Sequence, residues 1–237
     1  MEPKAILRLV GNCNIGQDWK TTVERSENRL YYVKGGNGGY IKNGEKIPFE
    51  TGKIYLLPAF AETETYTDNF FDHLYVNFEL IPPIISNDVL RLEINSDPIV
   101  CNAASIFTEL CKIGKTSLST EELALLSSTV MFLSFKAAST EGAMILDDPI
   151  INCALHIMHS DLTVSVKELA KLCYMSSDGF IRRFKRYIGK TPYEYLKLLK
   201  LRTAEEYRKQ GATLSEVAEV CGYSDASSLL HAMKKKH

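Results

Sequence analysis

Ser165-Val-Lys-Glu-Leu-Ala-Lys-Leu-Cys173 and Thr213-Leu-Ser-Glu-Val-Ala-Glu-Val-Cys221 match position for position at an offset of 48. Both run hydroxyl, two variable residues, Glu, apolar, Ala, charged, apolar, Cys. A hydroxyl three residues before Glu is a capping box, so each copy predicts a short helix. A turn follows (Tyr174-Met175; Gly222-Tyr223), then a second N-cap, Ser176 or Asp225, that opens another helix. Two short helices joined tightly, with a small residue (Ala170; Ala218) at their crossing, form a helix-turn-helix unit. One copy is weak evidence; two in one stretch of chain are not.

At about 100° per residue, the second helix of the first copy places Phe180, Phe184 and Tyr187 on one face, with Ile188 at its margin. In the second copy Leu229 and Met233 make the apolar stripe. The DNA-facing set is Asp178, Ile181, Arg182, Lys185 and Arg186 in the first helix, and Ser227, Ser228, His231, Lys234 and Lys235 in the second. Arg and Lys suit guanine edges and phosphates, and hydroxyls suit several bases, so these faces fit a major groove. Between the copies, Thr191-Pro192-Tyr193-Glu194 starts a helix of about 17 residues, a rod of roughly 26 Å, stopping near Gly211. Readers at its ends could approach the roughly 34 Å between successive major-groove faces.

Charge divides the chain. Residues 1–148 hold 13 Lys+Arg against 20 Asp+Glu, and residues 149–237 hold 15 against 9. That asymmetry fits a nucleic-acid-binding half joined to something else. The expected domains are 1–140, a linker over 141–149, and 150–237. With 45% hydrophobic and 24% charged residues the chain is globular rather than disordered. Its longest charge-free stretch, Leu123 to Phe135, is 13 residues, short of the roughly 20 needed to span a bilayer, so no membrane segment and no signal peptide are expected. Six dispersed cysteines without Cys-x-x-Cys spacing suggest buried thiols and a cytoplasmic protein.

The first half begins with strands. Arg29-Leu-Tyr-Tyr-Val33 is followed by Gly35-Gly-Asn-Gly-Gly39, expected to break it, and then by Asn43-Gly44, a hairpin turn signal. Gly52 to Pro58 and Phe70 to Phe78 are two more strands; in the latter Leu74, Val76 and Phe78 alternate with His73, Tyr75 and Asn77. A small antiparallel barrel or sandwich ending near Glu79 is expected. Helices follow. Pro98 to Lys112 carries apolar Ile99, Ala103, Ile106, Phe107 and Leu110, and Ser119-Thr-Glu-Glu122 caps another helix, apolar on more than one face. A homodimer contact through helices in 98–138 is one reading of that excess, and burial within the chain is the other.

The second half resembles the AraC/XylS family of bacterial transcription regulators. Val166 to Lys185 followed by Gly189-Lys-Thr-Pro-Tyr-Glu-Tyr-Leu196 is similar to the family's first unit, Lys200-Leu201-x-x-Ala204 to its linking helix, and Val217-Ala218 with Gly222-Tyr223-Ser-Asp225 to its second unit. By the same resemblance a Gly-x-[Ser/Thr]-Pro turn and a closing helix are expected beyond Lys234-Lys-Lys-His237. The Gly52-x-x-x-Leu-Leu-Pro58 pattern is similar to the cupin-like sensor barrels these regulators often carry. The resemblance implies an α+β chain: an antiparallel cupin-like barrel with following helices, then an all-α domain of two helix-turn-helix units. It also implies an activator or repressor of transcription, more readily an activator, that binds duplex DNA, meets RNA polymerase, and answers to a small effector.

Effector candidates are amphipathic side chains at strand positions, Trp19, Tyr31, Tyr40, Glu62, Tyr66, His73 and Tyr75, which suit a sugar or an aromatic acid. His73 is the one histidine of residues 1–148, too few for a cupin-type metal site, and Cys13 has no histidine near it in sequence. No catalytic residue, metal or cofactor is therefore assigned, and an enzyme is the weakest reading. The alternative to a small effector is control by a protein partner or by thiol oxidation.

Overall fold

The computed structural model describes all residues except 1–2, 17–20, 23–26, 60, 62, 96, 210 and 235–237. The chain divides into two compact units, Glu2–Asp147 and Asp148–His237.

The first unit is built on an antiparallel sheet of seven strands: β1 (Lys4–Ile15), β2 (Thr21–Thr22), β3 (Asn28–Lys42), β4 (Glu45–Pro48), β5 (Ile54–Leu57), β6 (Glu64–Ile81) and, after β7 (Ile84–Ile85), β8 (Leu90–Leu92). The order is β1-β6-β3-β5-β8, with β2 on β6 and β4 on β3. Asn43 and Gly44, at φ 54° and 83°, make the expected hairpin turn between β3 and β4.

The glycine run does not break β3. Residues 35–39 continue the strand through two bulges, between Val33 and Gly35 and between Gly36 and Gly38. A Cβ on Gly38 would lie 2.4 Å from the Phe71 ring, and one on Gly39 would lie 2.3 Å from the Ile47 carbonyl. Here glycine serves close approach within a sheet rather than a turn.

Because side chains alternate along a strand, the sheet has two buried faces. Leu30, Ile54, Leu56, Leu74, Val76 and Phe78 pack with α1 (Pro98–Ile113) and α2 (Thr120–Thr140). The opposite face gathers Tyr31, Val33, Phe49, Tyr55, Leu57 and Phe71. Ser119 and Glu122 form the expected capping box on α2. By length and composition α2 could cross a bilayer, but Leu126, Val130, Leu133 and Ala137 are fully buried in the core beneath the sheet. In α1 the buried stripe is Val100, Ala104, Phe107, Leu110 and Cys111, turned away from the expected one. Ile99, Ile106 and Ile113 are left exposed, because more than one face of this helix is apolar. The stretch expected as a linker, 141–149, is not free chain. It holds β9 (Met144–Ile145), which pairs with β7, and Leu146 donates its N–H to the Pro83 carbonyl.

The second unit is α-helical: α3 (Pro149–Ser160), α4 (Val166–Leu172), α5 (Ser177–Ile188), α6 (Pro192–Lys209), α7 (Leu214–Val220) and α8 (Ala226–Lys234). Asp148 caps α3 by accepting the Ile150 and Ile151 N–H groups, each at 3.1 Å. Phe180 and Phe184 of α5 are fully buried, and Phe184 meets the Tyr195 ring of α6 edge-on. Ala204, Val217, Ala218, Cys221 and Leu229 form a second cluster joining α6, α7 and α8.

Candidate nucleic-acid interface

The two units built on α4-α5 and α7-α8 repeat down to single hydrogen bonds. In the first, Glu168 accepts the Ser165 N–H at 2.9 Å and Ser165 Oγ accepts the Glu168 N–H at 3.1 Å. In the second, Glu216 and Thr213 do the same at 2.7 and 3.3 Å. Hydrogen bonds from the hydroxyl and then the backbone N–H of Ser165 and of Thr213 hold the Glu168 and Glu216 carboxyls below their ordinary range. Past α4, Tyr174 N–H bonds Lys171 O and Met175 N–H bonds Ala170 O; past α7, Gly222 N–H bonds Glu219 O and Tyr223 N–H bonds Ala218 O. All four pairs obey the offset of 48.

The second helices are displaced by one more residue. Ser176 Oγ accepts the Gly179 N–H at 3.3 Å, and Asp225 Oδ1 accepts the Ser228 N–H at 2.7 Å, an offset of 49. The second turn is therefore one residue longer. At 49 the inward pairs are Phe180 with Leu229, both buried, and buried Phe184 with half-buried Met233, and the outward pairs are Asp178 with Ser227, Arg182 with His231, and Lys185 with Lys234.

Asp178, Arg182, Lys185 and Arg186 are exposed on α5, with Arg186 lying 5.5 Å from the Tyr187 ring centroid. Ile181 is half-buried. The anchor of this helix is Phe180, Phe184 and Ile188; Tyr187, expected on the buried face, is only half-buried, since a step of four from Phe184 lands on Ile188. On α8, Ser227, His231 and Lys234 are exposed. Ser228 is half-buried, with its hydroxyl 2.9 Å from Ser224 Oγ, so it belongs to the helix cap more than to the outward face. Lys235 lies outside the described residues.

The eighteen residues of α6 span about 27 Å. Toward its start, Tyr195 packs against Phe184 and its hydroxyl lies 3.1 Å from His159 Nε2. Further along, Cys221 Sγ donates to the Lys200 carbonyl at 3.4 Å, and Lys200 Nζ reaches Gly222 O at 3.4 Å under the Tyr223 ring. Burial lowers the Lys200 pKa. The rod is thus fastened to both units by specific contacts.

Of the effector candidates, the sheet brings Tyr31, His73 and Tyr75 together: ring centroids of Tyr31 and His73 are 4.6 Å apart, and those of His73 and Tyr75 are 5.9 Å apart. Burial pulls the His73 pKa down to about 4. Tyr40 sits beside Phe49, with centroids 5.6 Å apart, and Tyr66 lies apart, beneath Lys46. Trp19 and Glu62 lie outside the described residues.

Two arginines escaped the sequence reading. Arg183 binds Asp148, and Arg29 is buried on the aromatic face of the sheet. For Arg29 the signal was available, since it shares its alternation with Tyr31 and Val33.

A helix-turn-helix domain family matches residues 169–237. A putative AraC-like transcription regulator of Streptomyces antibioticus is 36% identical over 93 residues, which is 38% of this chain and 31% of the relative. LumQ, a probable transcriptional regulator of Photobacterium leiognathi, is 24% identical over 169 residues, 65% of this chain and 64% of that one. The chain thus spans about a third of the length of the Streptomyces relative it matches. In fold, the chain is similar to ToxT from Vibrio cholerae, with a TM-score of 0.59 at 12% identity over 98% of this chain and 94% of that one. ToxT bound to (E)-4-(8-methylnaphthalen-1-yl)but-3-enoic acid gives 0.60 at 12% identity over 97% and 94%.

Proposed function

We propose that the chain is, through its C-terminal half, a regulator of the AraC/XylS type, and that it is a ligand-responsive, sequence-specific activator of transcription. Helices α5 and α8 enter successive major grooves of one duplex, and the sheet unit, a cupin-like sensor over residues 1–140, takes up a small effector. The observation that carries this reading is the outward set Asp178, Arg182 and Lys185 recurring as Ser227, His231 and Lys234 on a second, separately capped helix.

Relatives named as transcription regulators support a regulatory rather than an enzymatic role, and a cytoplasmic location with RNA polymerase as a partner is part of the same proposal. Effector binding is supported by the small acids that ToxT holds, an unsaturated fatty acid among them. A homodimer through helices of 98–138 is supported by the exposed stripe Ile99, Ile106 and Ile113, spaced seven apart on α1.

The test is titration of the full chain with duplex from upstream of its own gene, across a salt series. If about six phosphates are neutralised, log affinity falls against log salt with a slope near −5. A flat response, or binding to no duplex at low ionic strength, overturns the proposal.

A further inference from the structure

Arg29 is only 4% exposed, and its guanidinium lies on the sheet face that carries Tyr31, its Nη1 donating to Tyr31 Oη at 3.4 Å. Its Nε is buried and has no hydrogen-bond partner. Across the strands it stands opposite Asn77 of β6 and Leu57 of β5, and Asn77 turns its Nδ2 to Glu27 at 3.0 Å. Among the described residues, no carboxylate lies within ion-pair distance of Arg29.

Five other cations of the unit have carboxylate partners. Arg8 pairs with Glu79 at 2.8 Å, Arg91 with Glu50 at 2.6 Å, Lys34 with Asp72 at 3.0 Å, Lys136 with Asp97 at 2.9 Å, and Lys53 with Glu93. A buried guanidinium cannot escape its desolvation by shedding a proton, because it stays charged throughout the folded pH range. An anion must offset that cost, and a carboxylate matches the guanidinium fork with two parallel N–H···O bonds.

On the same face of the sheet as Arg29 lie the rings of Tyr31, His73 and Phe71, with centroids 4.6 Å apart for Tyr31 and His73 and 4.2 Å for Phe71 and His73. Such a row favours a flat or apolar body. A single cation matches one negative charge, and a neutral sugar would leave the guanidinium uncompensated.

We propose that Arg29 is the anchor for the effector, and that the effector is a monocarboxylate whose apolar body lies along Tyr31 and His73. This rests on the sheet unit being the effector-binding half. The experiment is calorimetry and thermal shift on the full chain with octanoate and benzoate, each against its neutral amide. The acids bind at least about tenfold more tightly than octanamide and benzamide, which is about 1.4 kcal/mol. Arg29→Gln loses that preference, and Arg29→Lys keeps part of it. Should Arg29→Gln fail to fold, the acid-to-amide ratio of the unaltered chain still decides. Equal binding of acid and amide, unchanged acid binding by Arg29→Gln, or no response to either acid at millimolar concentration overturns the proposal. Duplex binding is measured on the same preparation. A chain that binds duplex but no acid fails this inference alone, and one that binds acid but no duplex fails the regulatory reading alone.

Discussion

Tyr174 and Gly222 hold the same place in the two helix-turn-helix turns, both with left-handed backbone, at φ 53° and 66°. Glycine adopts that conformation freely, whereas for an L side chain it costs about 1–2 kcal/mol. The Tyr174 ring gives nothing back in packing, being 98% exposed. Tyr174→Gly therefore relieves strain, less about 0.5–1 kcal/mol for the looser unfolded chain, and raises the melting temperature by a few degrees. Gly222→Ala lowers it, because its new Cβ would also sit 3.1 Å from Thr163 Cγ2 and 3.2 Å from Lys200 Nζ. Differential scanning calorimetry of the two variants checks the opposite signs.

Neighbouring arginines on α5 have different surroundings, and the proposed function gives them different work. Arg182 is exposed, whereas Arg183 places Nε and Nη2 each 2.9 Å from Asp148 Oδ2, at the buried cap of α3. Arg182→Ala costs roughly 1–3 kcal/mol in duplex binding and relaxes the preference at one base, with an unchanged melting temperature. Arg183→Ala lowers folding stability, because the buried Asp148 carboxylate loses its counter-charge. Binding isotherms and denaturant melts on both variants separate the roles; a uniform loss over all sequences would make Arg182 a phosphate contact.

His73 makes the sheet unit acid-sensitive. Its folded pKa of about 4 lies below the unfolded value of 6.5, so the unfolded state takes up its proton first. The stability it contributes is fully present above pH 6.5 and is lost as pH falls toward 4, on the order of 3 kcal/mol. His73→Phe keeps the contact with Phe71 and flattens that window in a melting-temperature profile against pH.

The helical unit responds lower on the scale. Hydrogen bonds from cap and turn groups lower the carboxyls of Asp161, Glu168, Glu194, Glu216 and Asp225. Their contribution is complete above the unfolded carboxyl range of about 4 and disappears as pH drops through the lower folded values. Glu168→Gln and Glu216→Gln each shrink the loss of helicity seen by circular dichroism between about pH 4 and pH 2.

Ile106→Lys puts a charge in the middle of the exposed stripe on α1. On the proposed homodimer reading, sedimentation equilibrium then shifts toward monomer with little change in melting temperature, because Ile106 is not among the buried residues of that helix.

How much of this was legible in the sequence depends on how local the signal is. Capping boxes at Ser165, Thr213 and Thr191, and the Asn43-Gly44 turn, are short-range chemistry and appear where the residues predict them. The glycine run misled because glycine serves a turn and a close strand approach equally well; only Phe71, over thirty residues on, tells them apart. β1 carried no clean alternation, since its register shifts between Leu7 and Leu9. On α1 two apolar stripes compete, and the sheet chooses between them. Of the outward set, periodicity put Arg182 and Lys185 on the face that is exposed, but could not see that Ser224 would engage Ser228.

The close fit of Gly38 against the Phe71 ring has an evolutionary corollary. Bulk at either place is tolerated only at the other's expense, as with a key and its ward. Descendants of this chain that acquire a methyl at 38 should carry a smaller residue at 71, and the two sites should covary even though each taken alone looks like unremarkable strand.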